Sequence, residues 1–478
     1  MEYKWKLLVL TTIGVFMTSL DGSILNIAIP ALSEDLKATF EVVQWIPIIY
    51  LLIMAITLIG FGRLADLHGK KRFFLLGLIV FTIGSLLSAT AVTGEFLIFY
   101  RAIQALGASL IAATSIAMVT EAFSKQETGK ALGINVAGIY FGLVLGPVLG
   151  GFLVQALTWR SIFYINLPIG VVLILFSYLK VKEAEIGTKG ERFDILGTTT
   201  FGLSLATFLV ALTLGNQLGW VSIPIVALLI ISGISFLAFI FVEKNVEFPM
   251  LSLALFRHNR IFAAANAAAL INYIAIMGVG FLISIYLQSI LGINPAIAGL
   301  LMLPSPMMMA ITSPLIGRYS DKVGTRFLCA IGMTTMSIAL LILINFLIYL
   351  PIEFILLSQL ILGVGIGFFS SPNQSAIMKS VEKRQYGIAS GTLSTMRVTG
   401  QAISIGLLSA ILSIFILPSV LNLIMAGEYT GDPSLIQQPF LNGLVTALIV
   451  TIFICLLGAL LSLVRGREET TRNQQSLN

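Results

Sequence analysis

Charged residues are scarce in this sequence. Asp, Glu, Lys and Arg together make up 10% of its 478 residues, whereas hydrophobic residues make up 57%. A soluble globular chain carries roughly 25% charged residues, which cover its surface. The composition therefore excludes an ordinary soluble enzyme, a disordered protein and a fibrous repeat, and it indicates a chain that lies in a lipid bilayer.

Cysteine and histidine, which often bind metals, are also rare, and the sequence lacks a common nucleotide-binding motif. The two cysteines, Cys329 and Cys455, lie in separate apolar runs and predict no disulfide framework. The two histidines, His68 and His258, lie between apolar runs and form no His/Cys cluster that would indicate a metal site. The phosphate-binding pattern G-x-x-x-x-G-K-[ST] is absent from the sequence. We therefore expect no cofactor and no metal, and we expect an ion gradient to supply any energy.

Long apolar runs are what the sequence has in abundance. About 20 apolar residues allow a helix to span the hydrocarbon core. A spanning segment must be helical because its backbone polar groups find no water there. The predicted fold class is therefore an all-α integral membrane protein with 14 transmembrane helices. The apolar runs cover residues 7–29, 42–62, 73–92, 95–119, 130–155, 162–180, 194–214, 221–242, 261–290, 296–316, 327–350, 353–377, 386–416 and 440–464.

The basic residues predict the orientation of these helices. If the N-terminus is cytoplasmic, 24 of the 28 Lys and Arg residues fall in cytoplasmic segments. Lys37 and Arg160 then fall outside, and Arg101 and Arg397 fall within spans. Cytoplasmic loops of membrane proteins are enriched in Lys and Arg. We therefore predict a multi-pass protein with both termini in the cytoplasm, and we attribute the net charge of +6 to topology rather than to nucleic-acid binding.

One loop pattern occurs twice, at an offset of 255 residues. Gly62, Arg63, Asp66 and Gly69 recur as Gly317, Arg318, Asp321 and Gly324, and Gln104 recurs as Gln359. Duplicated halves are typical of secondary transporters. The chain resembles the major facilitator superfamily and, within it, the fourteen-helix drug:proton antiporter family of the multidrug exporter type.

This resemblance implies two six-helix bundles with two inserted helices between them. The predicted division is an N-terminal bundle at 1–181, two linker helices with cytoplasmic loops at 182–254, a C-terminal bundle at 255–465 and a cytoplasmic tail at 466–478. The resemblance also implies a protein of the cell membrane of a prokaryote that functions as a monomer.

The loop between the second and third predicted helices contains Gly62, Arg63, Asp66, Gly69 and Arg72. A tight turn between two helices favours glycine, and a basic cluster anchors a loop on the cytoplasmic face. In similar transporters the equivalent of Asp66 meets Arg63 and the end of a helix from the other half, and this contact latches one conformation. A purely topological role for the basic loop is the alternative.

Asp21 is the one acidic residue in the interior of a predicted span. It lies about 14 residues into the first span, or ~21 Å from its start at 1.5 Å per residue. A carboxylate at such a depth is costly and is by default a functional candidate. The segment 20–30 resembles the signature of the first helix in drug:proton antiporters.

Arg101 and Gln104 are three residues apart and share one face of the fourth predicted helix. In similar transporters this pair sits near the carboxylate of the first helix. A nearby cation favours the ionised carboxylate, whereas burial favours the neutral one. We therefore predict that Asp21, Arg101 and Gln104 couple transport to protons; a permanent structural ion pair is the alternative.

The fifth predicted helix carries a stripe of small residues. They are Gly138, Gly142, Gly146, Pro147, Gly150 and Gly151. Glycines four residues apart allow another helix to approach closely, and a proline can kink the helix. The segment 142–151 resembles the antiporter signature of the superfamily, which implies export in exchange for protons. The stretch 159–170 also resembles this family; we expect it to anchor the sixth helix and assign it no chemistry.

Polar and aromatic residues of the spans are candidates for the substrate cavity. They are Asn26, Tyr140, Phe141, Asn266, Asn272, Tyr273, Gln359, Phe368, Phe369, Asn373 and Arg397. Arg397 is the one charge in the interior of the C-terminal spans. Its expected partner is an anionic group on a substrate or Asp21, and the alternative is contact with its own backbone carbonyls and polar neighbours. For the other candidates, ordinary packing is the alternative to substrate contact.

These features predict a secondary active transporter that exports lipophilic drugs or dyes in exchange for protons by alternating access. Its expected partners are a lipophilic small molecule, protons and the lipid bilayer. One alternative is a proton-coupled exporter of a single endogenous metabolite or lipid, which would transport one compound. Another is an ion channel, which would carry current without substrate competition. Enzymatic activity is not expected, because one carboxylate and two arginines within the spans do not supply paired catalytic groups.

Overall fold

The structure is a computed structural model. It describes residues 2–123, 127–182, 194–247, 249, 251, 253–349, 352–381, 386–425 and 433–464. These residues are helical almost throughout, and no β-strand occurs among them. The helices, in chain order, are α1 (Tyr3–Leu36), α2 (Phe40–His68), α3 (Lys70–Ala89), α4 (Gly94–Ala122), α5 (Thr128–Ala156), α6 (Ser161–Tyr164), α7 (Asn166–Lys180), α8 (Ile195–Leu218), α9 (Ile223–Asn245), α10 (Leu253–His258), α11 (Arg260–Ile285, followed by a π-helical turn over Tyr286–Ile290), α12 (Pro295–Met302), α13 (Pro304–Val323), α14 (Thr325–Tyr349), α15 (Ile352–Lys379), α16 (Tyr386–Phe415), α17 (Pro418–Met425) and α18 (Pro433–Val464).

The described part of the chain contains 14 helical segments that are long and apolar enough to cross a membrane. Each of them overlaps one predicted apolar run, so the predicted fold class is confirmed. The first run was predicted to end at residue 29, but α1 continues through Pro30 to Leu36. A proline inside a spanning helix is tolerated because neighbouring helices and local adjustments satisfy the freed backbone groups. The run at 296–316 is divided between α12 and α13, because Pro304 begins a helix more readily than it continues one.

The spanning segments also hold acidic residues other than Asp21. Glu34 and Asp35 lie in the last turn of α1, and Glu95 lies in the first turn of α4. Glu243 lies in the last turn of α9. Each of these positions is near a helix end, whereas Asp21 lies in the middle of α1.

Contacts divide the chain into two compact units. Unit 1 comprises Met1–Leu251, Ser284–Gly299 and Leu417–Thr430. Unit 2 comprises Ser252–Ile283, Leu300–Ile416 and Gly431–Asn478. Unit 1 therefore holds α1 to α9, and in it the inserted helix α8 contacts both α2 and α9. The division predicted from the repeat, at 1–181, 182–254 and 255–465, stays a prediction, and its tail at 466–478 lies outside the described residues.

Two glycines of the repeated loop pattern adopt similar backbone conformations. Gly69 follows α2 with φ 107°, and Gly324 follows α13 with φ 89°. Both values lie where a residue with a Cβ atom is strained. The amide N–H of Gly69 donates to the carbonyl of Ala65, and that of Gly324 donates to the carbonyl of Ser320, each at 2.9 Å. The internal repeat is therefore present in the backbone as well as in the sequence.

The glycine stripe of α5 packs against α1. A Cβ atom added to Gly142 would lie 2.7 Å from the carbonyl oxygen of Phe16 and 2.9 Å from the amide nitrogen of Leu20. The Ser23 side chain fills the space beside Gly146, and its hydroxyl donates to the carbonyl of Gly142 at 3.1 Å. The close helix approach that the stripe predicts is therefore made by the helix that carries the intramembrane carboxylate.

Other small residues of α5 contact the first turn of α12, within unit 1. A Cβ atom added to Gly151 would lie 2.5 Å from the carbonyl oxygen of Pro295. The carbonyl oxygen of Pro147 packs against Gly299. Both α1 and α12 thus approach α5 closely, at positions where α5 has small residues.

Replacing Gly142 by alanine tests this packing, with Gly133→Ala as the matched control on the same helix. Gly133 has nothing within 4 Å of an added Cβ atom. We expect Gly142→Ala to lower the free energy of unfolding by about 1–3 kcal/mol, because the new methyl group is forced into the α1 backbone. Gly133→Ala should leave it unchanged or raise it by a few tenths of a kcal/mol. Thermal unfolding of the detergent-purified protein measures both, and equal melting temperatures would contradict the packing.

Candidate functional site

Asp21, Arg101 and Gln104 come together inside unit 1. Arg101 and Gln104 lie on one face of α4, which packs against α1. An Arg101 Nη1–H donates to Asp21 Oδ2 at 2.5 Å. Gln104 Nε2–H donates to Asp21 Oδ1 at 2.8 Å, and Gln104 Oε1 accepts from Arg101 Nη1 at 2.6 Å. The helical spacing of three residues therefore places a cation and an amide on the same carboxylate.

Asn166 and Ser85 complete this hydrogen-bond cluster. Asn166, the first residue of α7, donates from Nδ2 to Asp21 Oδ1 at 2.8 Å. Ser85 on α3 accepts from Gln104 Nε2 at 2.7 Å and from Asn166 Nδ2 at 3.3 Å. We call Asp21, Arg101, Gln104, Asn166 and Ser85 the carboxylate cluster. Its five side chains come from four helices, α1, α3, α4 and α7.

Two aromatic rings cover the guanidinium of Arg101. The Tyr50 ring of α2 lies 4.2 Å from Arg101 Cζ, and the Phe163 ring of α6 lies 5.7 Å from it. An aromatic face attracts a cation placed over it, and more strongly where water is excluded. The two rings therefore stabilise Arg101 and seal the cluster at the same time.

The carboxylate cluster is isolated from solvent. Asp21 and Arg101 are each 1% exposed, and Gln104, Asn166 and Ser85 are completely buried. Removing two charges from water costs several kcal/mol per ion, and only close pairing with further hydrogen bonds offsets that cost. Each charge therefore depends on the other to offset the free-energy cost of its burial. In the described part of the chain, no group of three or more His, Cys, Asp or Glu side chains is arranged to hold a metal ion.

The stretch 159–170 has two roles, of which the sequence indicated one. Trp159 Nε1–H and Arg160 Nη1–H both donate to Asp35 Oδ2, at 2.9 and 2.6 Å, and so tie the end of α1 to the start of α6. This agrees with the expected anchoring. The same stretch also contains Phe163 and Asn166, which reach the carboxylate cluster. The role of Asn166 was missed when this stretch was assigned no chemistry. Its polar side chain in an apolar segment was the signal that could have revealed it.

The loop motif is described only in part. Gly62 lies half-buried in α2, Gly69 forms the turn, and Arg72 is exposed at the start of α3. The side chains of Arg63 and Asp66 lie outside the described residues. Their predicted latch therefore stays a prediction.

The cavity candidates of unit 1 lie on α1 and α5. The Asn26 carbonyl accepts a hydrogen bond from the Ser284 hydroxyl at 2.5 Å, and Asn26 Oδ1 is buried without a partner. Tyr140 is half-buried, and Phe141 is 60% exposed with its ring 6.2 Å from that of Phe16.

The cavity candidates of unit 2 include three buried asparagines. Asn272 donates to the sulfur atoms of Met333 at 3.0 Å and Met336 at 3.4 Å. Asn266 donates to the carbonyl of Phe262 at 2.9 Å, and Asn373 donates to the carbonyl of Ala265 at 3.0 Å. The side-chain oxygens of Asn266 and Asn272 are buried without a partner, so each retains an unused acceptor.

The remaining unit 2 candidates lie on α11, α15 and α16. Arg397 is half-buried on α16, one turn before Gly400, where α16 meets Tyr273 of α11. Gln359 and Phe369 are buried on α15, and Phe368 is half-buried beside them. The substrate role predicted for all these residues stays a prediction.

Comparison with known proteins gives a family match. The profile of the family described as Major Facilitator Superfamily matches residues 11–404 and, a second time, residues 265–476. A solved bacterial homologue of the human lysosomal transporter Spinster, in an inward-facing and unoccupied conformation, shares the fold with a TM-score of 0.70. The match covers 97% of both chains at 15% sequence identity.

Several bacterial relatives are more similar in sequence. Riboflavin transporter RibZ of Clostridioides difficile is 35% identical over 398 residues, which cover 83% of this chain and 86% of the relative. Multidrug resistance protein Stp of Mycobacterium tuberculosis is 33% identical, with 85% of this chain and 75% of the relative covered. Multidrug resistance protein 3 of Bacillus subtilis is 31% identical, with 82% and 76% covered.

A double-mutant cycle tests the mutual dependence of Asp21 and Arg101. We expect Asp21→Asn to lower the free energy of unfolding by about 3–5 kcal/mol, because it leaves Arg101 buried without a counter-charge. The double variant Asp21→Asn/Arg101→Gln should recover part of that loss, because it removes both charges. Thermal unfolding in detergent measures the cycle.

The partly exposed pair of Asp35 and Arg160 supplies the control. Its side chains are 49% and 30% exposed, so Asp35→Asn should cost only on the order of 1 kcal/mol. If Asp21→Asn and Asp35→Asn cost the same, or if the double variant recovers nothing, the two buried charges do not depend on each other.

Proposed function

Because the chain belongs to the Major Facilitator Superfamily, we propose that this membrane transporter exports lipophilic drugs or dyes in exchange for protons by alternating access. Asp21 is the group that carries the proton in this proposal, and Arg101 and Gln104 are its partners. The observation that supports it most is the buried ion pair of Asp21 and Arg101, 1% exposed on both sides.

The electrostatics of this pair suit proton coupling. The Arg101 guanidinium favours the ionised form of Asp21, whereas removal from water favours the neutral form. Arginine does not deprotonate in proteins, so Asp21 is the member of the pair that changes charge. A proton that arrives on Asp21 weakens its attraction to Arg101 and frees the helices that the pair holds together. Release of the proton on the other side of the membrane restores the pair and completes the cycle.

Features of the sequence support the proposed direction of transport and source of energy. The absence of a P-loop pattern and the resemblance of residues 142–151 to the antiporter signature support export driven by an ion gradient. The distribution of Lys and Arg supports a cell-membrane protein with both termini in the cytoplasm. Relatives that are named multidrug resistance proteins support lipophilic drugs and dyes as the substrate class.

A second candidate is a transporter of one endogenous metabolite. It is favoured by the similarity to a protein named riboflavin transporter, at 35% identity. In that case the buried asparagines and the aromatic residues of unit 2 would recognise one polar ring system rather than many lipophilic dyes. Competition between chemically unrelated dyes favours the first candidate, and transport of riboflavin alone among the probes favours the second.

Gradient-driven dye accumulation tests the proton-coupled proposal. In everted membrane vesicles with an acidic lumen, the wild type should accumulate ethidium, and collapse of the pH gradient should stop it. Asp21→Asn should reduce accumulation to the level of vesicles without the transporter, because the side chain can no longer exchange a proton. The fluorescence of ethidium measures uptake over time.

Glu95→Gln is the matched control for this experiment. Glu95 is an exposed acid in the first turn of α4, the helix that carries Arg101. Its variant should accumulate ethidium as the wild type does. Undiminished accumulation by Asp21→Asn, or accumulation that ignores the pH gradient in the wild type, would refute the proposal.

A further inference from the structure

Asp21 is surrounded by hydrogen-bond donors. Its Oδ2 atom accepts from Arg101, and its Oδ1 atom accepts from both Gln104 and Asn166. An ionised carboxylate only accepts hydrogen bonds, whereas a protonated one must also donate. The observed arrangement therefore matches the ionised form, and a proton on Asp21 requires one partner to present an acceptor instead.

The three partners differ in their ability to do so. Arg101 has no acceptor atom. Gln104 has one, but its Oε1 already accepts from Arg101 Nη1 at 2.6 Å, and its Nε2 is held by Ser85 at 2.7 Å. Turning the Gln104 amide over would break both of these contacts.

Asn166 is the partner that can adapt. Its side chain is completely buried, and its Oδ1 atom has no hydrogen-bond partner. A half-turn of the amide group about its last torsion would bring this unused acceptor towards Asp21. It would give up the Nδ2 contact with Asp21, which a proton on Asp21 replaces, and the long contact with Ser85 at 3.3 Å. An unsatisfied buried acceptor is costly. A hydrogen bond from protonated Asp21 to Asn166 Oδ1 would offset that cost.

Few other groups near Asp21 carry charge or titrate. Arg101 on α4 is its charged partner, and the phenol of Tyr50 on α2 lies above that guanidinium. The elements α6 and α7 bring the neutral side chains of Phe163 and Asn166, and α5 approaches α1 through glycines. The donors on Gln104 and Asn166 are therefore the neutral contacts that can bias Asp21 towards one protonation state, and of the two only Asn166 has an unused acceptor.

We infer that Asn166 sets the pH at which Asp21 exchanges its proton, and that its side-chain amide turns over when Asp21 becomes protonated. Asn166 is a positioning residue in this scheme, since it acts on the proton-carrying group and not on the substrate. The inference rests on the proposed function only in taking Asp21 as the proton carrier. Asn166 begins α7, next to the break between α6 and α7 at Ile165.

An infrared titration of the full-length protein in lipid nanodiscs tests the inference without any substrate. The carbonyl band of protonated Asp21 is followed against pH, and Asp21→Asn identifies that band by its loss. Asn166→Leu keeps the shape of the side chain but removes its donor. The titration midpoint should rise by about one pH unit, because a hydrogen bond to a charged group is lost.

Two further variants make the test decisive. Asn166→Ser serves if Asn166→Leu does not fold. The serine side chain is polar but too short to reach Asp21, so this variant should also raise the titration midpoint of Asp21. Ser177→Ala removes another buried polar group of α7, three turns away, and should leave the midpoint unchanged. A midpoint in both Asn166 variants equal to that of the wild type would overturn the inference, even if their thermal stability is reduced.

The outcomes also separate this inference from the proposed function. If the Asn166 variants shift the infrared midpoint but wild-type vesicles show no gradient-driven ethidium accumulation, the inference stands and proton-coupled export fails. If the wild type accumulates ethidium with the pH gradient and the infrared midpoint is the same in every variant, export stands and the role of Asn166 fails.

Discussion

A buried carboxylate that must keep its hydrogen-bond partners is the constraint on which the rest of unit 1 depends. Burial of the charge of Asp21 or of Arg101 without the other would cost several kcal/mol. Other features of the unit serve this pair. The glycine stripe of α5 lets α1 approach closely, and the spacing of Arg101 and Gln104 presents both to one carboxylate. Aromatic rings from α2 and α6 close the site to water.

The two halves of the duplicated sequence have diverged in their polar interiors. Gln104 has a counterpart in Gln359, but Leu356 stands at the same offset from Arg101. In unit 2 the buried polar side chains described above are amides that bind carbonyl oxygens and methionine sulfurs. Thioethers and amides adapt to ligands of varied shape more readily than a fixed ion pair does. The duplication therefore preserved the helical frame and its turns, while proton chemistry and substrate recognition are proposed to rest on different residues.

The sequence predicted the fold because the bilayer permits few alternatives. A run of about 20 apolar residues must be a helix, so all fourteen spans followed from hydropathy. Arg101 and Gln104 followed from their helical spacing, and the turn glycines from the repeat. Asn166, Ser85 and Tyr50 did not, because contacts between separate helices leave no periodic signal. The continuation of α1 through Pro30 depends on neighbouring helices, which a single segment does not specify.

The claim that one buried carboxylate exchanges the transported proton has a direct test. Ethidium is added to the purified transporter in weakly buffered detergent solution, and a pH indicator reports protons released on binding. The account predicts that the wild type releases protons near the midpoint of Asp21 and that Asp21→Asn, which still binds the dye, releases none. Equal proton release from both proteins would contradict it, because another group would then carry the proton.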